Sequence, residues 1–255
     1  MPLIFDVGMA WVEAILLCSL RLGAMLLMTP IIDGFGIPAR IRVFIVLALS
    51  FTLVSSLPSG STLPSTELWP FITAAAGELA TGALLGFGAL SAFAVFSFAG
   101  NLLDQQLGFG LANVFDPMTR SQSPLIASMF GFLAVVMFFT VDAHHALLRG
   151  FAYSLEEVPL GSGFHAFAPD MLVHQFGLIF SYGLLLAAPV FFCVYLVELG
   201  LAVISRNLPQ MNIFMISMPV KIVCGLLLLS LLMPRLGPLF DKIYGSIFYF
   251  WKGVL

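Results

Sequence analysis

The stretch FITAAAGELATGALLGFGALSAFAVFSFAG, residues 71–100, decides the fold. It contains one charged residue, Glu78, and no proline, so nothing interrupts a helix. An apolar run of this length reads as a helix embedded in a membrane. At 1.5 Å per residue it extends about 45 Å, against a hydrocarbon core of about 30 Å. Either the helix tilts or part of it leaves the bilayer and packs on protein. Small residues recur along it (Ala74, Ala75, Ala76, Gly77, Gly82, Gly86, Gly88), and Gly82 with Gly86 forms a GxxxG pair. Such a pair lets two helix backbones approach closely in lipid. The partner is either a neighbouring helix of the same chain or a second subunit.

The rest of the chain matches. Apolar residues make up 60% of the 255 and charged residues 9%. A soluble domain carries roughly a quarter charged residues, so this surface must face lipid or other apolar protein. The length sets one compact unit as the expectation. The net charge of −3 is spread without blocks, which excludes a nucleic-acid footprint and a polybasic membrane-surface segment. Asp6 and Glu13 precede the first cation, Arg21, so the N-terminal stretch does not read as a cleavable signal. Cys18, Cys193 and Cys224 each lie in an apolar stretch, in no metal or disulfide spacing, and read as small buried side chains.

Working outward, apolar stretches predict an all-α, membrane-associated fold of helical hairpins with about six long helices. They cover residues 9–29, 43–57, 71–100, 125–141, 172–205 and 213–233. A shorter aromatic segment, 239–251, follows, whose Tyr244, Tyr249 and Trp251 suit a membrane–water boundary or a subunit contact. Pro30, Gly34, Gly36 and Pro38 separate the first two helices; Pro58, Gly60, Pro64 and Pro70 separate the next two. Pro189 falls inside the longest stretch and should kink it. Residues 149–170, with Glu156, Glu157 and His165, read as an aqueous excursion. Threaded as six spans, Arg40, Arg42, Arg120 and Arg206 face Arg149, Arg235, Lys242 and Lys252. This tie sets no orientation and speaks against simple threading.

Charges inside the apolar segments need partners, because an unpaired one in hydrocarbon costs several kcal/mol. These are Glu13, Arg21, Glu78, Glu198 and Lys221. Mutual pairing accounts for them better than a proton relay, since no cluster of acids and histidines shares a helix face. No catalytic signature is present: no Gly-x-Ser-x-Gly elbow, P-loop or CxxC, and no cofactor motif. His144 and His145 are adjacent, which does not place two metal ligands on one helix face as HExxH does, so no metal site is expected. Asp142 and His145 read as capping or interface residues.

The stretch GNLLDQQLGFGLANVFDPMTRSQSP, residues 100–124, is the most informative for function. Gly108 and Gly110 offer hinges, and Pro117 and Pro124 offer stops. Phe109, Leu111, Val114 and Phe115 are too apolar for a solvated loop. Irregular backbone at membrane depth is tolerated only where it is buried in protein or lines a cavity. The loop is therefore either packed between helices or blocks a pore by sterics and dewetting.

These residues also carry a family resemblance. GNLLDQQLGFGLANVFDP resembles the loop of the flagellar biosynthetic R protein family and its injectisome counterpart, the T subunit, through Asp104, Gln106, Gly108, Asp116 and Pro117. AHHALLRGFAYSLEEVPLG (residues 143–161) and NLPQMNIFMISMPVKIVCG (residues 207–225) resemble further family motifs in the same order. The resemblance covers nearly the whole chain. It implies one R-type subunit closing a spiral export gate, with a P-type part (1–171) joined to a Q-type hairpin (172–255). It implies an inner-membrane location in the flagellar basal body, partly on the periplasmic side. Implied partners are P- and Q-type gate subunits, A- and B-type export membrane proteins, rod or hook-base proteins, unfolded export substrates and lipid, with no nucleic acid. It implies a channel plug formed by Gln106, Gly108, Phe109, Gly110, Leu111, Val114, Phe115, Asp116 and Pro117. Gly82, Gly86 and Lys221 are the candidate intersubunit residues. The Asn-Ile-Phe run after Gln210 and the paired histidines lean towards the flagellar branch over the injectisome. A self-contained secondary transporter is the rival from another class, weakened because the two halves do not match; an intramembrane hydrolase lacks a nucleophile–base pair.

Overall fold

The computed structural model describes residues 9–30, 37–56, 68–109, 124–163, 169–207 and 213–255, and among these the secondary structure is helical, with no strand. The helices are α1 (Met9–Leu27), α2 (Ala39–Ser56), α3 (Leu68–Leu107), α4 (Leu125–Thr140), α5 (Ala143–Glu157), α6 (Pro169–Asn207), α7 (Ile213–Leu232) and α8 (Gly237–Val254), with a short 3₁₀ turn, Met233–Arg235, before α8. Five of them are long and apolar enough to cross a membrane; α4 and α5, bent by 72° at Val141–Asp142, make a sixth if counted as one broken span. The expected all-α, membrane-associated fold is what the chain adopts.

Several hydroxyl groups in these helices bond back to their own helix. Ser19 donates to the Leu16 carbonyl at 2.7 Å, Thr81 to Gly77 at 3.0 Å and Ser91 to Gly88 at 2.7 Å. Back-bonding to the preceding turn lets Ser and Thr sit in an apolar environment without an orphaned donor.

Several boundaries differ from the sequence expectation. Helix α3 runs on through residues 101–107, which the sequence reading assigned to the loop. The segment NLLDQQL is rich in good helix formers, and the break falls at Gly108 (φ 87°), whose N–H donates to the Gln105 carbonyl at 3.2 Å. Gln106 is therefore a helical residue, the last but one of α3. The expected aqueous excursion begins later too, because residues 149–157 belong to α5. That helix is amphipathic, burying Leu147, Phe151, Ser154 and Leu155 while Glu156 and Glu157 stay exposed. Helix α6 is continuous through Pro189.

Two compact units emerge from the packing. The first comprises Met1–Ser91, Phe138–Gln175 and Ser246–Leu255; the second comprises Ala92–Met137 and Phe176–Gly245. In the first, α1 buries Ala14, Leu17, Cys18, Arg21, Leu22 and Met25, a stripe at helical spacing. This stripe lies on the GxxxG face of α3. A Cβ added to Gly82 would collide with the Arg21 carbonyl and sit 2.9 Å from the Ala24 Cβ, and one added to Gly86 would meet Met25 and Met28 at 3.0–3.2 Å. Both glycines thus serve close approach within the chain, the internal alternative named above. Trp251 is buried here and donates its indole N–H to the Leu85 carbonyl at 3.0 Å.

In the second unit Phe96 packs on Phe240 and stacks on Tyr244, with ring centroids 5.3 and 5.9 Å away. The Tyr244 hydroxyl donates to the Ala134 carbonyl at 2.6 Å. Tyr244 and Trp251 are thus interior anchors, and the boundary role expected of them is left to Tyr249, 64% exposed. The reason is the stripe Phe240, Ile243, Tyr244, Ile247, Phe250 and Trp251, which turns one face of α8 inward and Asp241, Lys242 and Lys252 outward.

Candidate functional site at the ends of the 110–123 segment

Expected plug residues Gly110, Leu111, Val114, Phe115, Asp116 and Pro117 lie outside the described residues. What the structure defines is the frame at either end of that segment, all of it within the second unit. On the incoming side is the last part of α3; on the outgoing side is the start of α4.

Asp104 joins the two. It is 3% exposed, and its carboxylate accepts the Ile126 N–H at 2.9 Å through Oδ1 and the Ala127 N–H at 2.8 Å through Oδ2. Helix α4 has no acidic residue in its own first turn, so Asp104 caps it from across the loop. A buried carboxylate on two first-turn N–H groups satisfies orphan donors and meets the positive end of the helix dipole. One turn earlier Gly100 lies directly against the Ala127 backbone, where any Cβ would collide. The ends of the segment are therefore tied together before the segment itself begins.

Gln106 is two residues on and faces elsewhere. Its side-chain amide donates to Glu198 Oε2 of α6 at 3.4 Å, and the other oxygen of Glu198 pairs with Lys221 of α7. Leu107 beside it fills the space over Gly225 of α7. The last turn of α3 is thus held by α4 through Asp104 and by α6 and α7 through Gln106 and Leu107. Gly108 then turns the chain out of the helix and Phe109 follows, half-buried. Lys221, expected at an intersubunit contact, has its ammonium on Glu198 of the same chain.

Of the five intramembrane charges, four pair as expected: Glu198 with Lys221, and Arg21 with Glu78. The second pair is in the first unit and fully buried. Arg21 Nε donates to Glu78 Oε2 at 2.5 Å, Nη1 to the Ser154 carbonyl at 2.8 Å and Nη2 to the Val158 carbonyl at 2.9 Å. Glu78 Oε1 accepts the Gly161 N–H at 3.0 Å, so one ion pair links α1, α3 and the turn after α5. The fifth charge, Glu13, keeps one buried carboxylate oxygen without a hydrogen-bond partner.

The sequence reading missed one grouping. Asp142, His144 and His145 each bring a potential ligand atom within 4.8 Å of the others. Adjacent histidines in a helix interior diverge, but these sit at the start of α5, where Asp142 takes a left-handed conformation (φ 55°). Asp142 makes no capping bond and instead lies 3.5 Å from His145 Nδ1, both side chains being largely exposed.

Comparison with known proteins bears on the whole chain. Residues 12–247 match the family model of bacterial export proteins, family 1. Flagellar biosynthetic protein FliR of Bacillus subtilis (strain 168) is 30% identical over 224 residues, 86% of this chain and 86% of that protein. FliR of Escherichia coli (strain K12) is 27% identical over 243 residues, 94% of this chain and 92% of its own length. The Yop proteins translocation protein T of Yersinia pestis is 33% identical over 155 residues, 60% of this chain and 59% of that protein. With a match from residue 12 to residue 247, the chain belongs to bacterial export proteins, family 1, the family of the FliR and T proteins.

Proposed function

We propose that this chain is the R-type subunit of a flagellar type III export gate in the bacterial inner membrane, assembling with P- and Q-type subunits around a channel for unfolded substrates. Residues 1–171 serve as the P-type part and residues 172–255 as the Q-type hairpin. The segment from Gly110 to Pro117 acts as the channel plug, with Gln106, Gly108 and Phe109 as its root. The role is structural and non-catalytic. Gly82 and Gly86 support assembly by setting the α1–α3 spacing, and Lys221 by holding α7 to α6.

One observation carries the plug reading: Asp104 binds the first turn of α4, so the segment leaves and returns through a fixed base. A strap on a rigid base can swing without unravelling the helices that hold it, which a gate requires. Support for assembly comes from the apolar faces the chain leaves uncovered. Only 22% of the α6 window and 11% of the α7 window are buried within the chain, against 61% for α3. Two long apolar helices so exposed need lipid or other subunits against them.

The test is deletion of Gly110 to Phe115 in the assembled gate. Leakage of ions or small solutes should rise; a membrane as tight as with the intact segment refutes the plug. A second reading, the equivalent subunit of a virulence injectisome, draws on the 33% identity to the Yersinia T protein. The FliR matches span 86% and 94% of the chain against 60%, which favours the flagellum. Restoration of motility in a strain lacking its own R-type subunit separates the two.

A further inference from the structure

In the first unit the chain turns into α5 at a corner, and three side chains with metal-binding atoms meet there. Asp142, His144 and His145 each bring one ligand atom within 4.8 Å of the others. Successive helical residues point about 100° apart, so neighbouring histidines normally diverge. Here the two imidazole rings lie 4.0 Å apart between centroids, tilted by 37°, and so run side by side. Asp142, in its left-handed conformation, sets Oδ1 3.5 Å from His145 Nδ1.

These distances suit a small tetrahedral centre. Zinc bonds to histidine nitrogen and carboxylate oxygen are about 2.0–2.2 Å, which puts the ligand atoms about 3.3–3.6 Å from one another. The Asp142–His145 pair already has that spacing. The other separations, at most 4.8 Å, need to close by no more than about 1.5 Å. The side chains of Asp142 and His145 are 75% and 64% exposed, so they can rotate to do this. His144 is the anchored member, its ring 5.1 Å from that of Phe139. Its Nδ1 is buried and has no hydrogen-bond partner, so no bond at that nitrogen fixes the tautomer. Asp142 is uncommitted as well: it stands at the N-cap of α5, yet its carboxylate makes no capping bond.

We propose that Asp142, His144 and His145 form a binding site for a divalent transition-metal ion, with Zn²⁺ the best match, which ties the N-cap of α5 to its first turn. Two imidazoles and one carboxylate suit zinc and its neighbours, whereas Mg²⁺ and Ca²⁺ prefer oxygen ligands throughout. Three protein ligands leave a fourth position open to water, the pattern of an exchangeable site and not of a closed structural one. The positive end of the α5 dipole points at the ion, and the Asp142 carboxylate offsets it. The site is distinct from the 110–123 frame and stands whether or not the plug reading does.

The test uses the full chain, with any subunits that accompany it, purified through a tag without histidine and stripped of metal with EDTA. Zn²⁺ is titrated in competition with a chromogenic chelator. One equivalent per chain should bind, and excess Mg²⁺ should not displace it. Asp142→Gly and His145→Ala should each weaken binding by more than about tenfold, since even changes outside the ligand set cost about 10–100-fold. Glycine accepts the positive φ at 142 and His145 is exposed, so both variants should keep the fold. His174→Ala, at an exposed histidine of α6, is the control and should leave binding unchanged. Co²⁺ in place of Zn²⁺ should give the intense visible bands of a four-coordinate site, and both variants should lose them. Retention of all the zinc by the chelator overturns the proposal. So does binding that neither variant alters, or that His174→Ala weakens equally, which indicates an adventitious ion only.

Discussion

Replacing Arg21 with Leu should damage this protein more than any exposed substitution of similar size, and replacing Glu78 as well should undo much of the damage. Arg21 is 0% exposed and Glu78 3%, so neither charge has water to fall back on. Removing Arg21 leaves a buried carboxylate, for which the cost is about 3–5 kcal/mol. It also orphans the Val158 carbonyl, about 1–3 kcal/mol, whereas the Ser154 carbonyl keeps the Val158 N–H at 3.1 Å. Glu78→Leu leaves the guanidinium unbalanced, at a similar cost of about 3–5 kcal/mol, and takes the acceptor from the Gly161 N–H. With both residues made apolar, no buried charge remains and the loss should fall to the unmet Val158 and Gly161 groups. A double-mutant cycle should therefore give a coupling at or above about 3 kcal/mol, the upper end for residues in one network. Unfolding of the detergent-solubilised protein, followed by tryptophan fluorescence, measures each corner. Additive single effects, within about 0.5 kcal/mol, would refute the argument that this pair is one unit.

Other expectations follow from the second unit. Asp104→Ala should cost about 1–2 kcal/mol as a lost cap and speed protease cleavage within residues 108–125, with Asp104→Asn milder; unchanged cleavage rates would mean the ends of the segment are held by something else. Tyr244 lies outside the candidate spans, and burial raises its phenol above the ordinary value of 10.0. The folded state keeps that proton after the unfolded state releases it, so the contribution is intact below pH 10 and is lost as pH rises beyond it. Tyr244→Phe should flatten this alkaline limb while costing about 1 kcal/mol near neutrality, and an unaltered limb counts against it. Glu198→Lys and Lys221→Glu should each weaken export-dependent motility, and the exchanged pair should recover most of it. The pair is partly exposed, so the effect on stability alone should stay near 1 kcal/mol or below.

Much of the fold was legible from residue order because helix formation in an apolar run is a local matter. Where lipid supplies no hydrogen bonds, each backbone group must be satisfied within its own segment, and length and hydropathy suffice to find the segments. The same logic exposes where the reading fell short. NLLDQQL was taken for loop because its polar residues stood next to Gly108, yet those polar side chains belong to a helix whose faces meet three others. The stripe in α8 shows a helical period, and attending to it would have put Tyr244 and Trp251 inside. The closeness of Asp142, His144 and His145 had no counterpart in spacing rules, since a left-handed residue redirects the chain there.

The chain's own order of residues determined that it is helical, that it belongs in a membrane, and which family it joins. It also showed that its intramembrane charges balance well enough to pair. Only the tertiary structure decided that Arg21 meets Glu78, that Asp104 caps α4 from across the loop, and that Gly82 and Gly86 are used against α1. Those contacts join residues tens of positions apart, and they depend on which helix faces turn towards each other, a choice made by packing the whole set at once and written in no single stretch.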